Sequence, residues 1–214
     1  MSRAPLPVAV LVSGFGSNLQ ALLDAAAAGR LNADFRLVAS DRPEAPGLKR
    51  GRRAGFPTAA IPPDAYPDRA GWNTALDLAL RNSGAELVVL AGFMRVLAPD
   101  LVRGWEGRML NIHPSLLPLH RGLHTHRRAL AAGDRMHGAS IHYVTEELDG
   151  GPVILQARVP VLPGDSEDAL ADRVQAREHE VYPRVVQWIA SGRLCWRDGA
   201  PWLDGRPLVA PVVV

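Results

Sequence analysis

Residues 7–12, Pro-Val-Ala-Val-Leu-Val, form an unbroken apolar run of strand length that Gly14 and Gly16 bring to an end. From Asn18 the apolar positions return at helical spacing through Leu19, Leu22 and Leu23, until Gly29 closes the segment. The alternation recurs down the chain. It predicts a strand over 35–40, a helix over 46–54, a short strand over 58–61 and a helix over 68–83, where Trp72, Ala75, Leu76 and Ala79 fall on one face. Two more continuous apolar strands follow at 87–90 and 109–112. Strands apolar throughout, alternating with helices, predict a Rossmann-like α/β fold: a mostly parallel twisted sheet with helices on both faces.

Beyond Gly138 the pattern changes. Residues 139–144 and 153–161 read as strands joined by a polar, glycine-containing stretch, which predicts an antiparallel extension of the sheet. Asp165-Ser166-Glu167-Asp168 opens a long helix running to about residue 191. Residues 193–197 and 200–203 flank Asp198-Gly199 as a small hairpin. With no repeat and no low-complexity linker, residues 1–214 read as one domain with a C-terminal appendage. The apolar tail, 208–214, either packs on a neighbouring molecule, covers its own sheet or frays.

Composition narrows the function classes. At 47% apolar and 21% charged residues the chain is an ordinary globular one, and no apolar run is long enough for a membrane span. The first strand starts by residue 7, leaving no room for a signal peptide, and the single cysteine, Cys195, excludes a disulfide framework or multi-cysteine zinc site. These features predict a cytoplasmic protein. Net charge is only +2, and the one dense basic run, Lys49-Arg50-Gly51-Arg52-Arg53, lacks interleaved aromatics. It reads as a solvated helix face, with no nucleic-acid partner.

Open α/β sheets bind ligands beyond the carboxyl ends of their strands, where the strand order reverses. Ser13-Gly-Phe-Gly-Ser-Asn18 lies between a strand and a helix; it is either a phosphate cradle of backbone N–H groups or an ordinary capped turn. Leu19 stands where a dinucleotide fingerprint needs its third glycine. In Leu110-Asn-Ile-His-Pro114, Asn111 and His113 project to one face of a strand. There an amide can donate to a developing oxyanion while an imidazole moves a proton. Leu148-Asp-Gly-Gly-Pro152 is a loop tight enough to carry Asp149 towards His113, or a plain turn. His124 and His126 diverge on a helix and lack partners of metal-ligand spacing, so no metal is expected.

Taken with Val89-Leu-Ala-Gly-Phe-Met-Arg95, Gly122-Leu-His-Thr-His126 and Glu147-Leu-Asp-Gly-Gly-Pro-Val-Ile-Leu-Gln156, these strings resemble those of the folate-dependent phosphoribosylglycinamide formyltransferases of purine synthesis, from about residue 8 to 203. The resemblance implies the formyltransferase fold and transfer of a formyl group from 10-formyltetrahydrofolate, as co-substrate, to the amine of glycinamide ribonucleotide. It implies a phosphate-binding half (1–110), a catalytic and folate-binding half (111–192) and a hairpin with tail (193–214). The family's catalytic trio falls on Asn111, His113 and Asp149. Ribonucleotide binding falls on Gly16, Ser17 and Asn18 and on Gln175, Ala176, Arg177 and Glu178. Folate binding falls on Arg69, Met94, Arg95, Val96, Leu97, Asn111, Thr145, Glu146, Glu147, Leu148 and Asp149. The partners so implied are these two small molecules, and the chain itself is expected as a monomer or weak homodimer.

Departures stand at Phe15, where the family often has a polar residue, and at Leu119-His120-Arg121. Rival readings are a formyltetrahydrofolate hydrolase, a tRNA formyltransferase, a nicotinamide-dependent dehydrogenase with Asp41 on the ribose, and a non-catalytic anion-binding module.

Overall fold

The first strand, β1 (Leu6–Val12), shows how the layers form. Val8, Val10 and Val12 point into a core beneath helix α1 (Ser17–Ala27) and the long helix α6 (Glu167–Ala190). Ala9 and Leu11 point to the opposite side, beneath α3 (Arg69–Asn82). Because side chains alternate along a strand, one apolar run feeds two cores. All five residues are fully buried, and burying a Val or Leu side chain contributes about 1.5–3 kcal/mol.

The computed structural model describes residues 3–214. Its eight-stranded sheet has the order β11-β7-β6-β5-β4-β1-β2-β3. In that order β2 is Ala33–Ser40, β3 Thr58–Ala60, β4 Leu87–Leu90, β5 Met109–His113, β6 Met136–Tyr143, β7 Val153–Pro160 and β11 Val212–Val213. Strands β1 to β5 pair in parallel. The β5–β6 and β6–β7 pairs are antiparallel, which is the expected extension. β1 lies between β2 and β4, so the strand order reverses there and opens a crevice at the carboxyl ends.

Helix α2 (Pro46–Arg53) buries Gly47, Leu48 and Gly51 and leaves Lys49, Arg52 and Arg53 in solvent, as the pattern of the basic run requires. The tail resolves its three open alternatives. Val214 N–H donates to the Gln156 carbonyl at 2.9 Å, Arg158 N–H donates to the Val214 carbonyl at 2.8 Å, and β11 thereby covers the sheet's own β7 edge. A separate three-stranded sheet of β8 (Leu194–Arg197), β9 (Ala200–Leu203) and β10 (Arg206–Pro207) contains the expected hairpin. Two helices add to the expected order: α4 (Pro99–Gly104) and α5 (Thr125–Ala132). Among the described residues no helix is long and apolar enough to cross a membrane.

Candidate active site

Gly16 begins the site, at the N-terminus of α1, with φ of 74°. A side chain there would be strained in the left-handed region, and its Cβ would stand 2.8 Å from Gly47 Cα. Ser13 joins this loop to the segment after β4: its N–H donates to the Gly92 carbonyl at 3.1 Å and its hydroxyl accepts from Met94 N–H at 2.8 Å. A cavity of about 390 Å³ opens above, lined by residues 13–18, Arg42, Gln175 and Glu178, among others. Glu178 is buried and accepts from the Asn18 amide at 2.8 Å. Burial pushes its carboxyl up to about 7, and the Asn18 hydrogen bond only partly opposes this. The buried Asn18 Oδ1 has no hydrogen-bond partner among the described residues. Ala176 and Arg177, expected beside Gln175 and Glu178, do not line the cavity; Arg177 pairs with Glu180 instead.

A second, more apolar cavity of about 510 Å³ adjoins the first, and Gly92, Met94, Ile112, Pro114 and His126 line both. Met94, Arg95, Val96, Leu97 and residues 145–149 line it, as do Asn111, His113 and Asp149. Arg69 does not. Its guanidinium donates to the Val96 carbonyl at 2.8 Å, so it braces the loop that carries residues 94–97. Asn73 does the same, accepting from Ala98 N–H at 2.8 Å.

Strand β5 brings Asn111 and His113 to one face, as period two demands. His113 Nδ1 lies 3.4 Å from Asp149 Oδ2, and its Nε2 is 3.0 Å from the His120 carbonyl. Asp149 has φ of 50°, and its Oδ2 accepts from Gly122 N–H at 2.9 Å. The loop folds this tightly because Gly151 passes against the Tyr143 carbonyl, where a Cβ would overlap it. The departing residues 119–121 anchor the neighbouring loop: His120 pairs with Asp134 at 2.6 Å and Arg121 pairs with Glu147.

His142, on β6, matches a family position expected to support the site, and it contacts Asn111 directly. It is buried, and burial lowers its pKa against the opposing hydrogen bond to Tyr143, which favours neutral imidazole. Its Nδ1–H donates to the Tyr143 carbonyl at 2.9 Å, leaving Nε2 to accept from the Asn111 amide at 3.1 Å. That contact turns the Asn111 NH2 group inward and leaves its second N–H for the cavity. His126 also lines both cavities, 3.1 Å from His137. Among the described residues no three His, Cys, Asp or Glu side chains are grouped to hold a metal. Asp41, the ribose acceptor of the dehydrogenase reading, is buried against Arg95 at 2.7 Å and does not line either cavity.

The formyl transferase family model matches residues 6–186. This chain belongs to the formyl transferase family. Among curated relatives of this formyl transferase, it is 51% identical over 201 residues to phosphoribosylglycinamide formyltransferase of Escherichia coli (strain K12), covering 94% of this chain and 95% of that protein. It is 42% identical over 197 residues to the human trifunctional purine biosynthetic protein adenosine-3, covering 88% of this chain and 20% of that longer protein. Among solved structures, phosphoribosylglycinamide formyltransferase of Coxiella burnetii aligns with a TM-score of 0.94 at 47% identity, over 98% of this chain and 99% of that one.

Proposed function

We propose that this formyl transferase moves the formyl group of 10-formyltetrahydrofolate to the amine of glycinamide ribonucleotide, a step of purine biosynthesis, and does so in the cytoplasm. One observation carries the reading: an anion-suited cavity and an apolar cavity share a wall, and Asn111, His113 and Asp149 gather on the apolar side of it. Two substrates bound there meet at the trio.

The ribonucleotide phosphate rests on the backbone N–H groups of Gly16, Ser17 and Asn18, where the helix dipole favours an anion. Gln175 lines the same cavity, and Glu178 accepts from the ribose hydroxyls. The folate lies along residues 94–97 and 145–149, and the exposed Met94, Val96 and Leu148 supply its apolar bed. The amine nitrogen attacks the formyl carbon and the carbonyl becomes a tetrahedral oxyanion. Asn111, its amide turned by His142, donates to that oxygen, and His113 stands beside it, held by Asp149 and the His120 carbonyl. The bond to the folate nitrogen then breaks, the proton lost by the attacking amine passing to that leaving nitrogen. Asp149 orients His113 and stands next to this transfer.

The test is a transfer assay with purified protein. Formylated ribonucleotide should accumulate with glycinamide ribonucleotide as acceptor, and no product should form with charged initiator tRNA. Formyl folate hydrolysis without transfer, or transfer to the tRNA, overturns the reading.

A further inference from the structure

Two arginines stand by the loop between β1 and α1, and their surroundings differ. Arg50, on α2, donates from Nε to the Phe15 carbonyl at 2.9 Å and from Nη1 to Gln20 at 3.0 Å. Its guanidinium also lies 4.6 Å from the centre of the Phe15 ring. These contacts engage Nε, Nη1 and one face of the group, tying it to the loop. They also account for Phe15: 69% exposed, it is a platform that fixes Arg50 to the loop. Gly47 N–H donating to the Gly14 carbonyl at 3.0 Å holds α2 against the same turn. Arg50 is a brace.

Arg42 follows β2 and lines the first cavity. Its backbone is fixed, since its N–H donates to Ser40 Oγ at 3.0 Å and its carbonyl accepts from Ala45 N–H at 3.1 Å. Its side chain makes no hydrogen bond or ion pair with another described residue. The adjacent carboxylate, Asp41, is paired with Arg95 through Oδ2 at 2.7 Å and makes no contact of hydrogen-bond or ion-pair distance with Arg42. A phosphate monoester carries about −1.5 to −2 charges near pH 7, whereas a helix N-terminus offers about half a positive charge. The other ionisable groups lining this cavity are Asp172, Glu178 and His126, so Arg42 is its only lining residue with a permanent positive charge.

We infer that Arg42, and not Arg50, is the cation that binds the ribonucleotide phosphate, with Phe15 and Arg50 holding the loop that presents the backbone N–H groups. This rests on the phosphate site proposed above.

Calorimetric titration of ribose 5-phosphate, with ribose as control, into the whole chain tests it without requiring turnover. Arg42→Ala should weaken phosphate-ester binding roughly ten- to a hundred-fold, the range of a charge-assisted hydrogen bond, with an unchanged melting temperature. Arg42→Lys should keep most of the affinity. Arg50→Ala should lower the melting temperature and weaken binding less than Arg42→Ala. Wild-type affinity in Arg42→Ala, a larger loss in Arg50→Ala at unchanged melting temperature, or wild-type protein that prefers ribose 5-phosphate no more than ribose, each overturns the inference. A chain that shows the expected binding losses but transfers no formyl group supports Arg42's role while the reaction reading fails. A chain active in transfer whose Arg42→Ala variant binds normally refutes the inference alone.

Discussion

The two cavities of this formyl transferase are built in opposite ways. The side proposed for the ribonucleotide stands largely on regular structure: a strand end, the first turn of α1 and a buried carboxylate on α6. The side proposed for the folate stands largely on loops, residues 92–97, 122–124 and 144–149, braced by Arg69, Asn73 and Arg121. Anchoring an anion needs backbone groups held in one place, which a helix terminus supplies. Accommodating a larger apolar ligand and carrying a carboxylate to the reacting carbon needs segments free of ladder geometry. Asn111 and His113 stand on β5, but Asp149 reaches them from a loop, so its delivery and the anion anchor can be disturbed separately.

The largest separation should come from His113→Ala. Turnover should fall about a thousand-fold or more, within the span of lost acid–base and oxyanion assistance, while calorimetric affinity for the ribonucleotide changes little. Loss of both together would mean that the two cavities are one mechanical unit. Gly151→Ala comes next. Its Cβ would overlap the Tyr143 carbonyl, so the Asp149 loop must shift, lowering both the melting temperature and kcat without weakening ribose 5-phosphate binding.

Glu178→Gln reverses the direction. Burial raises this carboxyl to about 7, against an unfolded value of about 4.3. A raised folded pKa means that its favourable contribution is complete below the unfolded pKa and is lost as the pH climbs towards 7. Wild type and variant should therefore match in denaturant midpoint near pH 4. At pH 8 the variant should be more stable by about 4 kcal/mol at most, although its ribonucleotide KM is higher. Higher stability in the wild type at pH 8 would contradict the burial argument. The smallest effect belongs to Leu148→Ala on the apolar rim. A loss of about 1 kcal/mol of partial burial should raise the folate KM several-fold and leave the ribonucleotide KM unchanged.

The ribonucleotide side was the more legible in sequence, for the same structural reason. A six-residue apolar run, glycines and a helical repeat are local signals, and residues 7–29 announced β1, its turn and α1 directly. α4 and α5 gave little signal because they have only 6 and 8 residues; α5 also starts from His124 with φ of 58° and no side-chain cap. β11 has two residues and exists only through its pairing with β7. Asn111 and His113 shared a face by strand period alone, but the approach of Asp149 depends on a glycine loop whose path is set by Tyr143 and Gly122. The glycines allow this approach but equally a plain turn, and only the family resemblance chooses between the two. The family resemblance also brings Ala176, Arg177 and Arg69 into the ligand sets, whereas none of the three lines a cavity, Arg177 pairing with Glu180 and Arg69 with the Val96 carbonyl. Conversely, no local pattern marked His142 as the group that turns the Asn111 amide, since its partners lie on β5 and in its own backbone.

The central claim is that His113 and Asp149 act on the reacting carbon as one unit, across a contact of 3.4 Å. Single-turnover formyl transfer at saturating substrates, measured for wild type, His113→Ala, Asp149→Asn and the double variant, addresses it most directly. Groups that work through each other are strongly non-additive, so the double variant should transfer about as fast as His113→Ala alone. A double variant slowed by the product of the two single effects would show that the carboxylate and the imidazole act independently, and would contradict the account.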